Sequence, residues 1–223
     1  MKICRVFSGK DAVYASSEAE ELRLFPRDWR PGDRMPSPDD MEAADPLDAD
    51  FLPPVAPSKI VCVGRNYAAH AAELNNPLPE YPLLFLKAPS AVVSEGDRII
   101  LPSQSVQVEH EGELGIVIGR DCKDIADNDD PMRFILGFVP VNDVTARDLQ
   151  RSDVQFTRAK SFDTFCPVGR YISTGAAPSE AVLKVPVNGE VRQEGNTSDM
   201  IFDIPFLIRY ISKQMGFPYN FRT

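Results

Sequence analysis

A β-rich mixed α/β body, coiled or barrel-like, is the fold class this sequence predicts. Three observations carry it. Short β-branched or apolar runs recur from Lys59 onward, each closed by Gly, Pro or Asn. Helical periodicity is confined to short stretches. The regular strand–helix alternation of a doubly wound parallel sheet is missing, and no repeat period is visible.

The elements follow in chain order. Lys2 to Phe7 suits a short strand, and Glu18 to Arg23 a fragment of strand or helix. Prolines at 26, 31, 36, 38, 46, 53, 54 and 57 then leave no room for a long helix or a central strand. Residues 1–57 are therefore expected to form a small segment or lid with a Pro-rich linker, laid over a main body at 58–223. Ile60–Val63 is a strand candidate ended by Gly64, followed by a short helix carrying Tyr67, His70 and Glu73 that Asn76-Pro77 and Pro79 stop. Leu83–Leu86, Ile99–Leu101 after the Gly96-Asp97 turn, Glu113 to Ile118 and Phe134 to Val141 are further strand candidates. Val182–Val187 and Glu190–Arg192 flank Asn188-Gly189, a strong hairpin signal. Pro205 suits the first turn of a helix running to about Gln214, with Leu207, Ile208, Ile211 and Met215 as its buried stripe.

Composition narrows the function. With 223 residues there is room for one substantial domain and a small appendage. Hydrophobic residues at 43% can fill a core. A net charge of −9 repels polyanions, so no nucleic-acid partner is expected. Twelve acids against seven bases fall before residue 58, which puts most of that excess away from the main body. Cys4, Cys62, Cys122 and Cys166 are scattered, without a CxxC, which points to reduced thiols and a cytoplasmic location; two disulfides are the alternative that the even count leaves. No apolar run is long enough for a membrane span, and the N-terminus has no signal-peptide core.

The chemistry concentrates in few places. Glu111 and Glu113 are two apart, so an extended strand points both carboxylates to one face. Two such carboxylates repel unless a divalent cation joins them, and oxygen ligands suit Mg²⁺ or Mn²⁺. A solvated acidic edge is the rival reading; the apolar run directly after Glu113 argues against it. Asp143 offers a third oxygen ligand, with helix N-capping by Asp143 or Thr145 as its alternative. Arg147 and Asp148 suit a structural ion pair. His70 and Glu73 share a helix face, where the carboxylate orients the imidazole; Arg65 and Asn66 precede them at a turn. His110 is expected on the opposite face from the acidic pair, as a supporting or core residue. Lys87 and Lys160 stand in apolar settings and could balance carboxylates or hold an anion, or simply snorkel. There is no GxSxG and no phosphate-cradling loop.

Six stretches in order, KIVCVGRNYAAHAAE (59–73), PLLFLKAPSAVV (82–93), VEHEGELGIVIG (108–119), VNDVTARDLQ (141–150), TRAKSFDTFCPVG (157–169) and VNGEVRQEGNTSDMIFDIPFLIRYIS (187–212), resemble the fumarylacetoacetate hydrolase family in its small prokaryotic, acylpyruvate-hydrolase-like form. The resemblance implies a mixed β-sandwich roll with short helices, a homodimer, and a bound Mg²⁺ or Mn²⁺. It implies Glu111, Glu113 and Asp143 as metal ligands, and His70, Glu73 and Lys160 as catalytic residues. Arg65, Tyr67, Lys87 and Gln150 match substrate-binding positions. The implied substrate is a small anionic 2-oxo acid. The implied reaction is C–C hydrolysis of an acylpyruvate or related β-diketo acid through a metal-stabilised enolate and a water activated by His70. The alternatives are decarboxylation of oxaloacetate or a related 2-oxo diacid, hydroxymuconate-type isomerisation, or an inactive relative acting as a dimeric scaffold. Relatives carry a Thr-Gly-Thr-Pro loop and closing strands after this helix, which the 223 residues do not contain; the expectation is metal binding with weakened turnover.

Overall fold

Consecutive buried side chains, Ile3-Cys4 on one strand and Val13 to Ser16 on the next, hold the first hairpin from both faces. The computed structural model describes residues 1–19, 21–67 and 79–217. In β1 (Lys2–Ser8), Ile3, Cys4 and Val6 are buried, and the strand pairs antiparallel with β2 (Asp11–Glu18) along its whole length. β3 (Glu21–Leu24), β4 (Glu42–Ala44) and β5 (Phe51–Leu52) add to it, β5 on β1 itself. Asp11–Glu18 gives no strand signal of its own, because Ala and Ser supply half of it. Pairing with β1 is what makes it a strand. Glu18 to Arg23 accordingly divides between β2 and β3 at a turn where Ala19 takes φ +49°. At the start of the Pro-rich stretch, Phe25 and Trp29 are buried edge-on to each other, Trp29 also edge-on to Tyr14, and all three pack into the main core.

The later strands are β6 (Ile60–Gly64), β7 (Leu83–Lys87), β8 (Val92–Ser94), β9 (Val108–Glu109), β10 (Gly112–Ile118), β11 (Ile135–Asn142), β12 (Thr145–Ala146), β13 (Cys166–Val168), β14 (Ile172–Ser173), β15 (Val182–Val187) and β16 (Glu190–Asn196). One ten-stranded sheet runs β4-β3-β2-β1-β14-β11-β13-β8, with β10 on β11 and β5 on β1. It is mixed, because β13 and β8 run parallel. β6–β7, β9–β12 and β15–β16 form two-stranded ribbons beside it. In the last, Asn188 (φ +52°) and Gly189 (φ +84°) make the two-residue turn with both central residues left-handed, which the Asn-Gly pair permits at little steric cost.

Among the described residues there are three α-helices, α1 (Arg147–Ser152), α2 (Thr157–Lys160) and α3 (Ile204–Gln214), besides single turns of 3-10 helix. Asp203 caps α3 by accepting from the Phe206 N–H at 2.8 Å, with Pro205 in its first turn. Ile204, Leu207, Ile208 and Ile211 are buried, the first and third against Cys122, Ile125 and Phe138; each such side chain stabilises by about 1.5–3 kcal/mol. The architecture is thus strand-rich mixed α/β, with short helices beside a large mixed sheet.

Several local expectations need correction. Ile99–Leu101 is not a strand; its side chains are exposed and the Ile100 N–H donates to Thr164 Oγ1 at 2.8 Å. Tyr67 makes a β-bridge to Met200 rather than sitting on a helix, because the preceding Asn66 is tied to the same distant segment. His70, Glu73 and the rest of the expected helix lie outside the described residues. The four cysteines are free and buried.

Candidate metal centre and its cavity

Adjacent ends of two paired strands bring the carboxylates together. β10 and β11 are antiparallel, with Gly112 opposite Asn142 and Glu113 opposite Val141. One step further, the Asp143 N–H donates to the Glu111 carbonyl at 2.8 Å. Glu111 and Asp143 therefore face each other across the ladder, with Glu113 diagonal to them. A ligand oxygen from each of Glu111, Glu113 and Asp143 lies within 4.8 Å of the others. Asp143 caps no helix, since α1 starts after Ala146.

Cations surround this cluster. Lys160 Nζ donates to Glu111 Oε2 at 2.7 Å and to Asp143 Oδ2 at 2.6 Å, and lies 5.0 Å from the Phe85 ring centroid. Lys87 Nζ donates to Asp143 Oδ1 at 2.7 Å, to the Val144 carbonyl at 3.3 Å and to the Lys160 carbonyl. All three of its N–H groups are thus engaged within the protein, and the Lys87 and Asp143 side chains are each 1% exposed. Arg147 donates to Glu109 at 2.9 Å, to Gln150 Oε1 at 2.7 Å and to Glu111 Oε1. Asp148, expected to pair with Arg147, instead accepts from Ser105 Oγ at 2.6 Å and the Val106 N–H. Neighbours in sequence on a short helix diverge by about 100°, so each finds a different partner.

These contacts set the protonation states. Burial raises the Glu111 carboxyl, but Lys160 and then Arg147 outweigh it and hold it below its usual range. Burial lowers the Lys160 ammonium, but Asp143 and Glu111 reverse this and keep it firmly charged. Lys160 and Lys87 also draw Glu113 down, but too weakly to offset its burial. Among the described residues no group donates to its carboxylate, and burial, then Asp143 and Glu111, push it up to about 8. It is the carboxylate that most needs a cation.

The donor set fits a hard divalent ion. It is all oxygen and all carboxylate, as Mg²⁺ and Mn²⁺ prefer. Four carboxylates (Glu109, Glu111, Glu113, Asp143) face three cations (Lys87, Lys160, Arg147), and a divalent ion would turn that excess positive, suiting the site to an anion.

The carboxylates open on a cavity of about 940 Å³. Arg65, Tyr67, Gln150 and Lys160 line it. Arg65 is exposed and takes φ +58°, a strained left-handed conformation for a non-glycine residue. Tyr67 is half-buried, its hydroxyl pKa raised by burial and then by Glu113. Lys87 stands behind Asp143 and is not a lining residue. His110 also lines the cavity, its Nδ1 enclosed without a hydrogen-bond partner. Cys62 and Cys166 line it too; burial raises both thiol pKa values, with further increases from Asp143 and Glu113, so both stay protonated.

Two residues escape sequence reasoning. Asn66 is buried, and its side-chain amide exchanges two hydrogen bonds, at 2.8 and 2.9 Å, with the Phe202 backbone. Gln193 does the same to Gly112, between Glu111 and Glu113, at 2.8 Å each. Neither partner can be read from spacing, since more than eighty residues separate Gln193 from Gly112. The one signal in the sequence is that Arg65 and Asn66 stand at a turn.

The raised Glu113 carboxyl gives a testable pH dependence. Its pKa is about 8 in the fold against 4.5 as a free group, so its contribution is complete below about pH 4.5 and is lost as pH climbs to about 8. Metal-free protein should therefore melt at progressively lower temperature across that window. Saturating Mg²⁺, which favours the carboxylate, should flatten the slope. Scanning calorimetry with and without Mg²⁺ checks it; identical slopes would remove Glu113 from the metal site.

Among the described residues no helix is long and apolar enough to cross a membrane. The model of the family described as fumarylacetoacetate (FAA) hydrolase C-terminal matches residues 59–220. An Archaeoglobus fulgidus protein is 52% identical over 74% of this chain and 66% of its own length, so the match spans just under two thirds of that relative. The oxaloacetate tautomerase FAHD1, mitochondrial, of Bos taurus is 41% identical over 70% of this chain and 73% of its own. The crystal structure of 5-carboxymethyl-2-hydroxymuconate delta-isomerase from Mycobacterium smegmatis superposes with a TM-score of 0.82 at 38% identity, covering 98% of this chain and 84% of that one. The strands that carry the carboxylate cluster, the mixed sheet and these matches agree: the chain belongs to the fumarylacetoacetate hydrolase family.

Proposed function

We propose that this protein is a divalent-metal-dependent isomerase that interconverts enol and oxo forms of a small 2-oxo diacid, of the oxaloacetate or hydroxymuconate type. The observation that carries it is the Glu111–Glu113–Asp143 cluster, backed by Lys160 and Lys87 and opening on one cavity. The tautomerase and isomerase names of the relatives above favour this class over hydrolysis.

A divalent ion at the three carboxylates would supply Lewis-acid polarisation of a bound oxo group. The protein's residues do the rest. Lys160 and Lys87 keep Asp143 in one orientation, and Arg147 holds Glu111 and turns Gln150 into the cavity. Lys160 spends two N–H groups on Glu111 and Asp143, which leaves one for negative charge on a substrate oxygen. Arg65 and Tyr67 supply a cation and a hydroxyl on the cavity wall, suited to a second carboxylate. His70 is the base that carries the proton between carbon and solvent, the role the family resemblance gives it. No water needs to attack, so this reaction asks less of the site than C–C cleavage.

Hydrolysis of an acylpyruvate is the second reading, favoured by the family's name. The same residues serve it, with His70 activating a water. Enol–oxo interconversion of oxaloacetate, followed by loss of enol absorbance, should be Mg²⁺-dependent and faster than cleavage of acetylpyruvate. His70→Ala should lower kcat by about 10²–10⁴-fold. Faster cleavage of acetylpyruvate would replace the isomerase reading with the hydrolase one, and activity indifferent to Mg²⁺ would remove both.

A further inference from the structure

We propose that the β15–β16 hairpin is a clamp on the metal centre, with Gln193 as the residue that positions Glu111 and Glu113. The proposal rests on the metal-site reading above and adds to it a positioning element drawn from outside the ligand strands.

The argument starts from the backbone of Gly112. β11 lies on one side of it, and the ladder bonds next to it belong to its neighbour, where the Asp143 N–H donates to the Glu111 carbonyl. In an antiparallel ladder the adjacent residue then turns its own N–H and C=O to the other side. Gly112 does so at the one point where both flanking side chains are ligands. An unpaired strand edge there would leave the Glu111–Glu113 peptides free to tilt, and each tilt would move both carboxylates.

Gln193 closes that edge with a side chain instead of a strand. Its Oε1 accepts from the Gly112 N–H at 2.8 Å and its Nε2 donates to the Gly112 carbonyl at 2.8 Å. The amide thus reproduces the paired hydrogen bonds of a neighbouring β-residue. The hairpin seats itself by close approach as well. A Cβ added at Gly112 would come within 2.3 Å of Val185 Cγ2, so the glycine between the two glutamates is what lets the hairpin lie flat on them. Leu183, 3.7 Å from the same point, completes the contact. The hairpin otherwise pairs only with itself and joins no larger sheet among the described residues, and Leu183, Gln193 and Glu194 line the cavity. Groups that orient metal ligands without touching the ion are worth about 10–100-fold in affinity. Coupling is reciprocal: whatever docks the hairpin tightens the ion, and the ion tightens the hairpin.

The test is Mn²⁺ titration calorimetry on the full chain, with Gln193→Leu, which keeps the bulk and removes both hydrogen bonds. Mn²⁺ affinity should fall about 10-fold, and exchange of the Gly112 amide hydrogen in metal-free protein should accelerate. Gly112→Ala should weaken Mn²⁺ binding by pushing Val185 away, and Val185→Ala in the same chain should restore it, which a general loss of folding would not allow. Wild-type affinity in Gln193→Leu, or no rescue by Val185→Ala, overturns the clamp while leaving the metal centre standing. Failure of the wild-type protein to bind Mn²⁺ at all would instead remove the metal reading, and the clamp with it.

Discussion

Glu113→Gln should abolish detectable binding of Mg²⁺ and Mn²⁺, and yet make the metal-free protein more stable above about pH 8. Both effects have one cause. Among the described residues Glu113 is the carboxylate of the cluster to which no group donates, pushed up to about 8 by burial and by Asp143 and Glu111. Its ionised form is tolerated only when a cation faces it. Glutamine keeps the shape and removes the charge, so the repulsion disappears along with the metal affinity. Titration calorimetry and thermal melts on the same two proteins read the two halves. Equal Mn²⁺ affinity in wild type and variant would sink the ligand assignment. A variant less stable than wild type at high pH would show that Glu113 has a cationic partner outside the described residues.

Lys160→Met should cost about 3–5 kcal/mol of folding stability, the range for removing one partner of a buried ion pair. The lysine side chain is 3% exposed and bonds Glu111 and Asp143, so the substitution leaves Glu111 to Arg147 and Asp143 to Lys87, each with one cation fewer in a poorly solvated place. Methionine retains the stem against Phe85 and separates the charge effect from packing. Saturating Mg²⁺ should restore part of the loss, because the ion supplies positive charge to the same carboxylates. The double variant Lys160→Met, Asp143→Asn should lose less than the two single losses added together. Urea denaturation measures all of these. A cost below about 1 kcal/mol for Lys160→Met would place the network in water rather than in the core.

Legibility in the sequence followed the range of the interaction. Strands β6, β7, β10 and β11 are visible singly as apolar runs with turn residues at their ends, the β15–β16 pair from its Asn-Gly turn, and helix α3 as a stripe after a proline. That β6 lies on β7 and β10 on β11 is not visible. Nor is strand β2, because its Ala and Ser residues carry no pattern until β1 lies beside them. Ile99–Leu101 had the pattern and no partner, so it stayed out of every sheet. Arg147 offered an obvious neighbour in Asp148 and chose Glu109 and Glu111 instead, since a helix points consecutive side chains apart.

By itself the sequence determined the oxygen-rich metal centre as a candidate: two glutamates two apart before an apolar run, and an aspartate ending another, are local facts of strand geometry. It also determined the absence of a nucleophile elbow or phosphate loop, and the stretches that carry the family likeness. Tertiary structure alone decided what surrounds those carboxylates. Lys87 meets Asp143 across 56 positions of chain, Lys160 meets Glu111 across 49, and Gln193 meets Gly112 across 81. Periodicity encodes which face a side chain takes, within one element. It says nothing of which distant element will lie against that face, because that choice is made by the summed burial of the whole core and not by any residue near the site.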